Sequence, residues 1–208
     1  MADVTNVFSD ITGEKSFYTA EKKEKKEFVP IVPGEYLCHI IDVKTSIRDV
    51  KGKYKGRVYN YTVQVAAENS TNKYTYQEIN GDDKETDGST YKGYKFRGSV
   101  WRFLEPQEED KFEANPTGNK GYYYFCEAIG VDCPRETKTI NGKEVEVQTL
   151  PNLTSNDLIG KPVIAVVGEG RPWKDKDGNK KTFWDCKFVK RWEDGKEKSD
   201  ASSEEIPF

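Results

Sequence analysis

The chain predicts a mainly β fold: five strands closed into a barrel, a short helix between strands three and four, an inserted β-hairpin, and flexible extensions at both ends. Three observations carry this. Several segments of about ten residues alternate apolar and polar side chains with period two, the spacing of half-buried strands. The pairs Asn141-Gly142 and Asp177-Gly178 sit between such segments, and pairs of this kind accept the positive φ of tight hairpin turns. The stretch Lys120–Val131 behaves differently: Tyr122, Phe125, Cys126 and Ile129 recur at helical spacing, Gly130 ends the pattern and Pro134 blocks its continuation.

Composition sets the frame for these elements. Of 208 residues, 35% are hydrophobic and 33% charged, yet aromatics reach 12%. A compact aromatic core carrying soluble extensions fits those figures, and the length suits one domain. The expected division is an arm over 1–30, a folded domain over 31–192 and a tail over 193–208. Glu14–Phe28 has mixed charge at helical spacing, so the arm is either helical or disordered.

Pro30 and Pro33 mark the entrance to the domain. Gly34–Val43 is the first predicted strand, and Lys44–Arg57 the first predicted loop, strongly basic. The second strand, Val58–Ala67, places Tyr59, Tyr61, Val63, Val65 and Ala67 on a core face, with Val58, Asn60, Thr62 and Gln64 opposite. Glu68–Ser89 reads as an acidic loop with turns at Asn80-Gly81 and Asp87-Gly88, and Lys73–Ile79 as a short extra strand within it. Thr90–Leu104 alternates again. Tyr94, Phe96 and Val100 face the core; Lys95, Arg97, Ser99 and Trp101 face away, with Gly98 a candidate bulge. Glu105–Asn119 is loop. After the helix, Glu136–Gln148 forms the inserted hairpin.

The stretch Lys161–Trp192 supplies the last two strands, Pro162–Gly168 and Lys181–Lys190, around a charged loop. It holds nine basic and four acidic residues, hence +5, with Trp173, Trp184 and Trp192 among them. In the final strand, Trp184, Cys186 and Phe188 share the core parity, while Lys181, Phe183 and Lys187 share the outer one. Strand, basic loop, strand, strand, helix, hairpin, strand, basic loop, strand is the element order of an OB-fold barrel. That fold binds oligonucleotides on strands two and three and on the loops joining strands 1–2 and 4–5, the two loops that carry the positive charge here.

Charge and motif content narrow the function classes. The net charge is −3, but Glu193–Phe208 alone carries −4, leaving +1 on the remainder. Four scattered cysteines, no bilayer-length apolar run and no apolar leader point to a reduced, cytoplasmic protein. Cys38, Cys126, Cys133 and Cys186 lack the short-spaced pairs of a zinc ribbon, so no metal is expected. His39 is the single histidine, and no nucleophile set, phosphate loop or chelating carboxylate motif stands out. The expectation is a binding protein without cofactor rather than an enzyme.

The tail has no periodicity and ends Glu204-Glu205-Ile206-Pro207-Phe208. Two acids followed by Ile-Pro-Phe at the carboxyl end resemble the acidic tip of bacterial and bacteriophage single-stranded DNA-binding proteins. The resemblance covers the tail closely and the body only through element order. The N-terminal arm, the 68–89 loop and the 136–148 hairpin depart from the bacterial members. It implies sequence-independent binding and protection of single-stranded DNA during replication, recombination or repair. It also implies that Glu204, Glu205, Ile206, Pro207 and Phe208 recruit partners such as a polymerase, helicase, primase or nuclease. The departures favour a monomer or dimer over the bacterial tetramer. The cell compartment would be the bacterial cytoplasm, or the infected host cell for a phage protein. An OB-type RNA binder, or an accessory adaptor working mainly by protein contact, is the alternative.

On this reading the phosphates are tracked by Lys44, Arg48, Lys51, Lys53, Lys55, Arg57, Lys95 and Arg97 and by Arg171, Lys174, Lys176, Lys180, Lys181 and Lys187. Tyr54, Trp101, Trp173 and Phe183 stack on bases, a sequence-tolerant contact because every base has a π-face.

Overall fold

A computed structural model describes residues 29–50, 54–78, 80–103, 119–140 and 142–195. In chain order the elements are β1 (Gly34–Val50), β2 (Tyr54–Val65), β3 (Lys73–Gln77), β4 (Asp83–Asp87), β5 (Lys95–Phe103), α1 (Lys120–Ala128), β6 (Arg135–Ile140), β7 (Lys143–Gln148), β8 (Pro162–Glu169), β9 (Trp173–Lys174), β10 (Lys180–Lys181) and β11 (Trp184–Arg191). Five of the strands close a barrel in the order β1-β2-β5-β11-β8 and back to β1. All pairs are antiparallel except β5 with β11, which meet in parallel at Arg97 and Asp185. The remaining strands form three two-stranded ribbons, β3–β4, β6–β7 and β9–β10. The described residues form a mainly β unit with a closed five-stranded barrel and one α-helix, compatible with an OB-like barrel.

Period-two alternation explains the core. Tyr36, Cys38 and Ile40 on β1, Tyr59, Tyr61 and Val63 on β2, Phe96 on β5 and Val163 and Ala165 on β8 all point inward and are at most 3% exposed. Two bulges interrupt the alternation. The β1–β2 register shifts between Ile40 and Asp42, so Ile40 and Val43 both face inward. The β8–β11 register shifts between Cys186 and Phe188, so Cys186 and Val189 are buried and Phe188 is 51% exposed. The expected core parity of Phe188 is therefore wrong, because one extra residue turns the rest of the strand over.

Helix α1 follows its predicted stripe. Tyr122, Phe125, Cys126 and Ile129 are buried, and the helix packs on β11 and β5 where those two strands part. The helix ends at the predicted glycine, with Gly130 N–H donating to Glu127 O and Val131 N–H to Cys126 O. Ahead of it, Asn119 ties the helix start to the end of β5. Phe103 N–H donates to Asn119 Oδ1 at 2.7 Å, and Asn119 Nδ2 donates to Phe103 O at 3.2 Å.

Several sequence expectations change. Lys44–Arg57 is not a loop: β1 and β2 run on as a hairpin, pairing from Lys44 with Asn60 out to Val50 with Tyr54. Thr45, Ile47 and Val50 supply β-branched residues that sustain it. The extra strand over Lys73–Ile79 is β3, ending at Gln77, and it has a partner, β4, in what read as acidic loop. The strand beginning at Thr90 starts instead at Lys95, after a 3-10 turn over Gly88–Tyr91, which leaves Tyr94 39% exposed rather than in the core. Ala67 opens another 3-10 turn and is exposed, and Ala66 is buried in its place. Gly98 is no bulge, since β2 and β5 pair without a shift from Gln64–Lys95 to Gly56–Phe103. Its role is clearance: a Cβ there would stand 2.5 Å from the Tyr61 ring. The last barrel strand begins at Trp184, because Lys180–Lys181 belongs to the separate ribbon with β9. The expected helix over 14–28, the 105–118 loop and the acidic tip fall outside the described residues.

Candidate nucleic-acid interface

Residues directly opposite one another on paired strands point to the same face of a sheet. Applied to β1, β2 and β5, this puts the outer-face side chains in rows. Arg48, Gly56 and Phe103 form one row; Ser46, Val58 and Trp101 the next; then Lys44, Asn60 and Ser99; then Asp42, Thr62 and Arg97; and Gln64 with Lys95 beyond. Lys44, Arg48, Lys95 and Arg97 are exposed. Trp101 and Phe103 are half-buried and stack on each other, ring centroids 6.1 Å apart and planes within 22°. Under the Trp101 end, Val58 is on the outer face as its parity predicts, yet only 2% exposed, so that face has an apolar spot.

The β8–β11 connection supplies a second aromatic pair, and this one is exposed. Trp173 and Phe183 stack with centroids 5.6 Å apart and an interplanar angle of 12°, and they are 41% and 62% exposed. Asp175 organises this loop. Its Oδ1 accepts from the N–H groups of Asp177 and Asn179, and its Oδ2 takes Lys181 Nζ at 2.9 Å. The Lys181 contact, with help from those amides, holds the Asp175 carboxyl below its ordinary range. Gly178 at the turn has φ +82°, as the Asp177-Gly178 signal requires. Arg171, Lys174, Lys176 and Lys180 are exposed around it. Phe183 shares the parity of Asp185, and Asp185 pairs with Arg97. The loop aromatics thus lie at the Lys95–Arg97 end of the outer face, and Trp101–Phe103 at the other.

The structure gathers Lys44, Arg48, Lys95, Arg97 and Trp101 on one face, with the cluster of Arg171, Trp173, Lys174, Lys176, Lys180, Lys181 and Phe183 at its edge. It does not bring three others there. Lys55 and Arg57 fall on the opposite parity of β2, and Arg57 Nη1 bonds Asn152 Oδ1. Arg102 shares that side, donating to Leu150 O at 3.1 Å with its guanidinium 5.9 Å from the Tyr122 ring centre. Lys187 sits at the β11 bulge and lines a groove of about 1120 Å³ between α1 and β11, beside Tyr123, Tyr124 and Phe188. Lys51 and Lys53 lie outside the described residues, as does the Tyr54 side chain, although Tyr54 opens β2. Tyr59 and Tyr61 are core, not groove edge. Phe103 and the polar pair Asn60 and Ser99 were not singled out from sequence. An unbroken period of two from Lys95 through Trp101 would have reached Phe103, had Gly98 not suggested a break.

Opposing charge is present as well: Asp185 pairs with Arg97, and Asp42 stands in the same row one strand further on, across Thr62. All four cysteines are buried inside the packing, and burial pushes the Cys126 thiol up to about 12 and Cys186 to about 11. Among the described residues no three His, Cys, Asp or Glu side chains cluster as metal ligands do, and no helix is long and apolar enough to cross a membrane. Set against known proteins, the chain matches no family model, no curated protein and no solved structure.

Proposed function

We propose that this chain is an OB-fold protein that binds single-stranded DNA without strong sequence preference, shielding it during replication, recombination or repair. The observation that carries this reading is the outer face of β1–β2–β5, where Lys44, Arg48, Lys95 and Arg97 share one surface with a half-buried stacked pair, Trp101 and Phe103. Phosphates would meet the cations, releasing counterions and making binding strongly salt-dependent. Bases would extend the aromatic stacks, each contributing about 1–3 kcal/mol. The chemistry asked of the protein is positioning and charge, with no catalytic group and no cofactor.

The tail completes the proposal. Glu204, Glu205, Ile206, Pro207 and Phe208 would serve as the docking tip for replication and recombination partners, as the resemblance implies. With −4 over Glu193–Phe208, the tail would also compete weakly for the basic face at low salt. The protein would act in the cytoplasm, as a monomer or dimer.

Titration of tryptophan fluorescence with oligo-dT and oligo-rU, with and without Glu193–Phe208, tests this. The expected result is quenching that weakens steeply with salt, tighter DNA binding once the tail is removed, and loss of partner capture by the truncated chain. Preference for rU would favour the RNA-binding alternative. Failure to bind either polymer would leave the adaptor role.

A further inference from the structure

Two aromatic stacks, one half-buried and one exposed, mark the two ends of one face. Trp101 and Phe103 lie at the end of β5, next to the β1–β2 extension. Trp173 and Phe183 lie at its beginning, since Phe183 precedes Asp185 by two residues and Asp185 pairs in parallel with Arg97. Phe183 is therefore level with Lys95, six residues before Trp101 on β5. At about 3.3 Å per strand residue the two stacks stand roughly 20 Å apart. The outer face between them carries no aromatic ring. It holds Lys44, Arg97, Asn60, Thr62 and Ser99, which offer cations, hydroxyls and an amide, together with the carboxylate of Asp42, and no flat apolar surface.

We infer that one nucleic-acid strand is held at two separate stacking stations, Trp101–Phe103 and Trp173–Phe183, and bridged between them by its phosphates on Lys44 and Arg97. The inference rests on the nucleic-acid reading above and specifies how that site is occupied. Each pair is already a short stack of nearly parallel rings, so a base adds to an outer ring face without reorganising the protein. A strand anchored at one station brings its next bases to the other at high effective concentration, provided it is long enough. At a stacked rise of about 3.4 Å per nucleotide, roughly six nucleotides fill the gap, near the low end of site sizes for a single OB barrel. Shorter strands occupy one station at a time.

The experiment is a length series of thymidine oligomers, from about three to about twelve nucleotides, titrated against the full chain and against the variants Trp101→Phe and Trp173→Phe. Each variant removes one indole reporter while leaving a ring to stack on. Oligomers of about three nucleotides should bind weakly and quench the two indoles independently. From roughly six nucleotides both indoles should respond at the same concentration, and affinity should step up by roughly 5- to 150-fold, the equivalent of about 1–3 kcal/mol per stacked base. Trp173→Ala, in the exposed ribbon where folding is not at stake, should abolish the step and keep the weak binding. A smooth rise of affinity with length, or an indole that never responds while DNA is bound, overturns the bridge but not DNA binding. Binding by no oligomer at any length overturns both readings.

Discussion

The aromatic residues of this protein divide into an inward and an outward population, and the two are held by different physics. The inward rings include Phe96 and Phe125, but four of the tyrosines among them are fixed at both ends. Their faces pack in the barrel, and their hydroxyls donate to backbone carbonyls of irregular segments. Tyr36 reaches Val32 O at 2.7 Å and Tyr91 reaches Pro30 O at 2.9 Å, pinning the chain that enters β1. Tyr122 reaches Pro151 O at 2.8 Å and Tyr59 reaches Leu153 O at 3.3 Å, pinning the chain that enters β8. A phenylalanine would fill the same space but leave those carbonyls without a donor. Trp101, Phe103, Trp173 and Phe183, on the outer face and its edge, instead stack in two pairs. An aromatic ring buried at both ends builds the fold, whereas one with a free face is available for a ligand.

That contrast breaks down if the two populations respond alike to truncation. The largest expected effect is on Tyr122→Ala, which empties a fully buried site touching both Tyr59 and Phe125. It should cost about 3–5 kcal/mol in urea unfolding. A loss under about 1 kcal/mol would mean the ring is no part of the core. Next in size is the double variant Trp173→Ala with Phe183→Ala. Its oligo-dT affinity should fall by about 1–3 kcal/mol per stacked base, with the unfolding midpoint unchanged. Unaltered affinity would remove this loop from the binding site.

The smallest effect is a pH dependence confined to the inner population. Burial raises the Cys126 thiol to about 12 and Cys186 to about 11, against an ordinary 9.0, and Tyr91 to about 12. The folded state thus keeps these protons more tightly than the unfolded chain. The stability this contributes is complete below the ordinary thiol value and is lost as pH rises through about 11 to 12. Unfolding midpoints followed from neutral pH upward should fall over that window. The Cys186→Ser variant should show a shallower fall, and an identical slope would assign the effect to other groups.

The reach of the sequence follows the same division. Period-two alternation was legible wherever a strand has one wet face, which is why the inward set Tyr59–Val65, the outer set Lys95–Trp101 and the strand at Pro162–Gly168 were found. The turns at Gly142 and Gly178 were legible from local chemistry. Bulges were not, because the extra residue in β1 and in β11 is chemically ordinary and is revealed only by the partner's register. Strand β4, Asp83–Asp87, was hidden by charge: Asp-Lys-Glu-Thr-Asp has poor β propensity and pairs because β3 lies opposite. The same bias toward reading charge as loop concealed the β1–β2 extension. Lys44 and Arg48 were therefore identified as candidates for the interface but placed on a loop rather than on the strand face.

The Asn119 side chain spans the two ends of residues 104–118, accepting from and donating to the backbone of Phe103. Its consequence is modularity. With the exit of β5 and the entry of α1 fastened to each other, the spacing between them no longer depends on how many residues connect them. Added connecting length costs only the slow logarithm of loop closure. The two hydrogen bonds of one amide therefore set where α1 begins relative to the exit of β5.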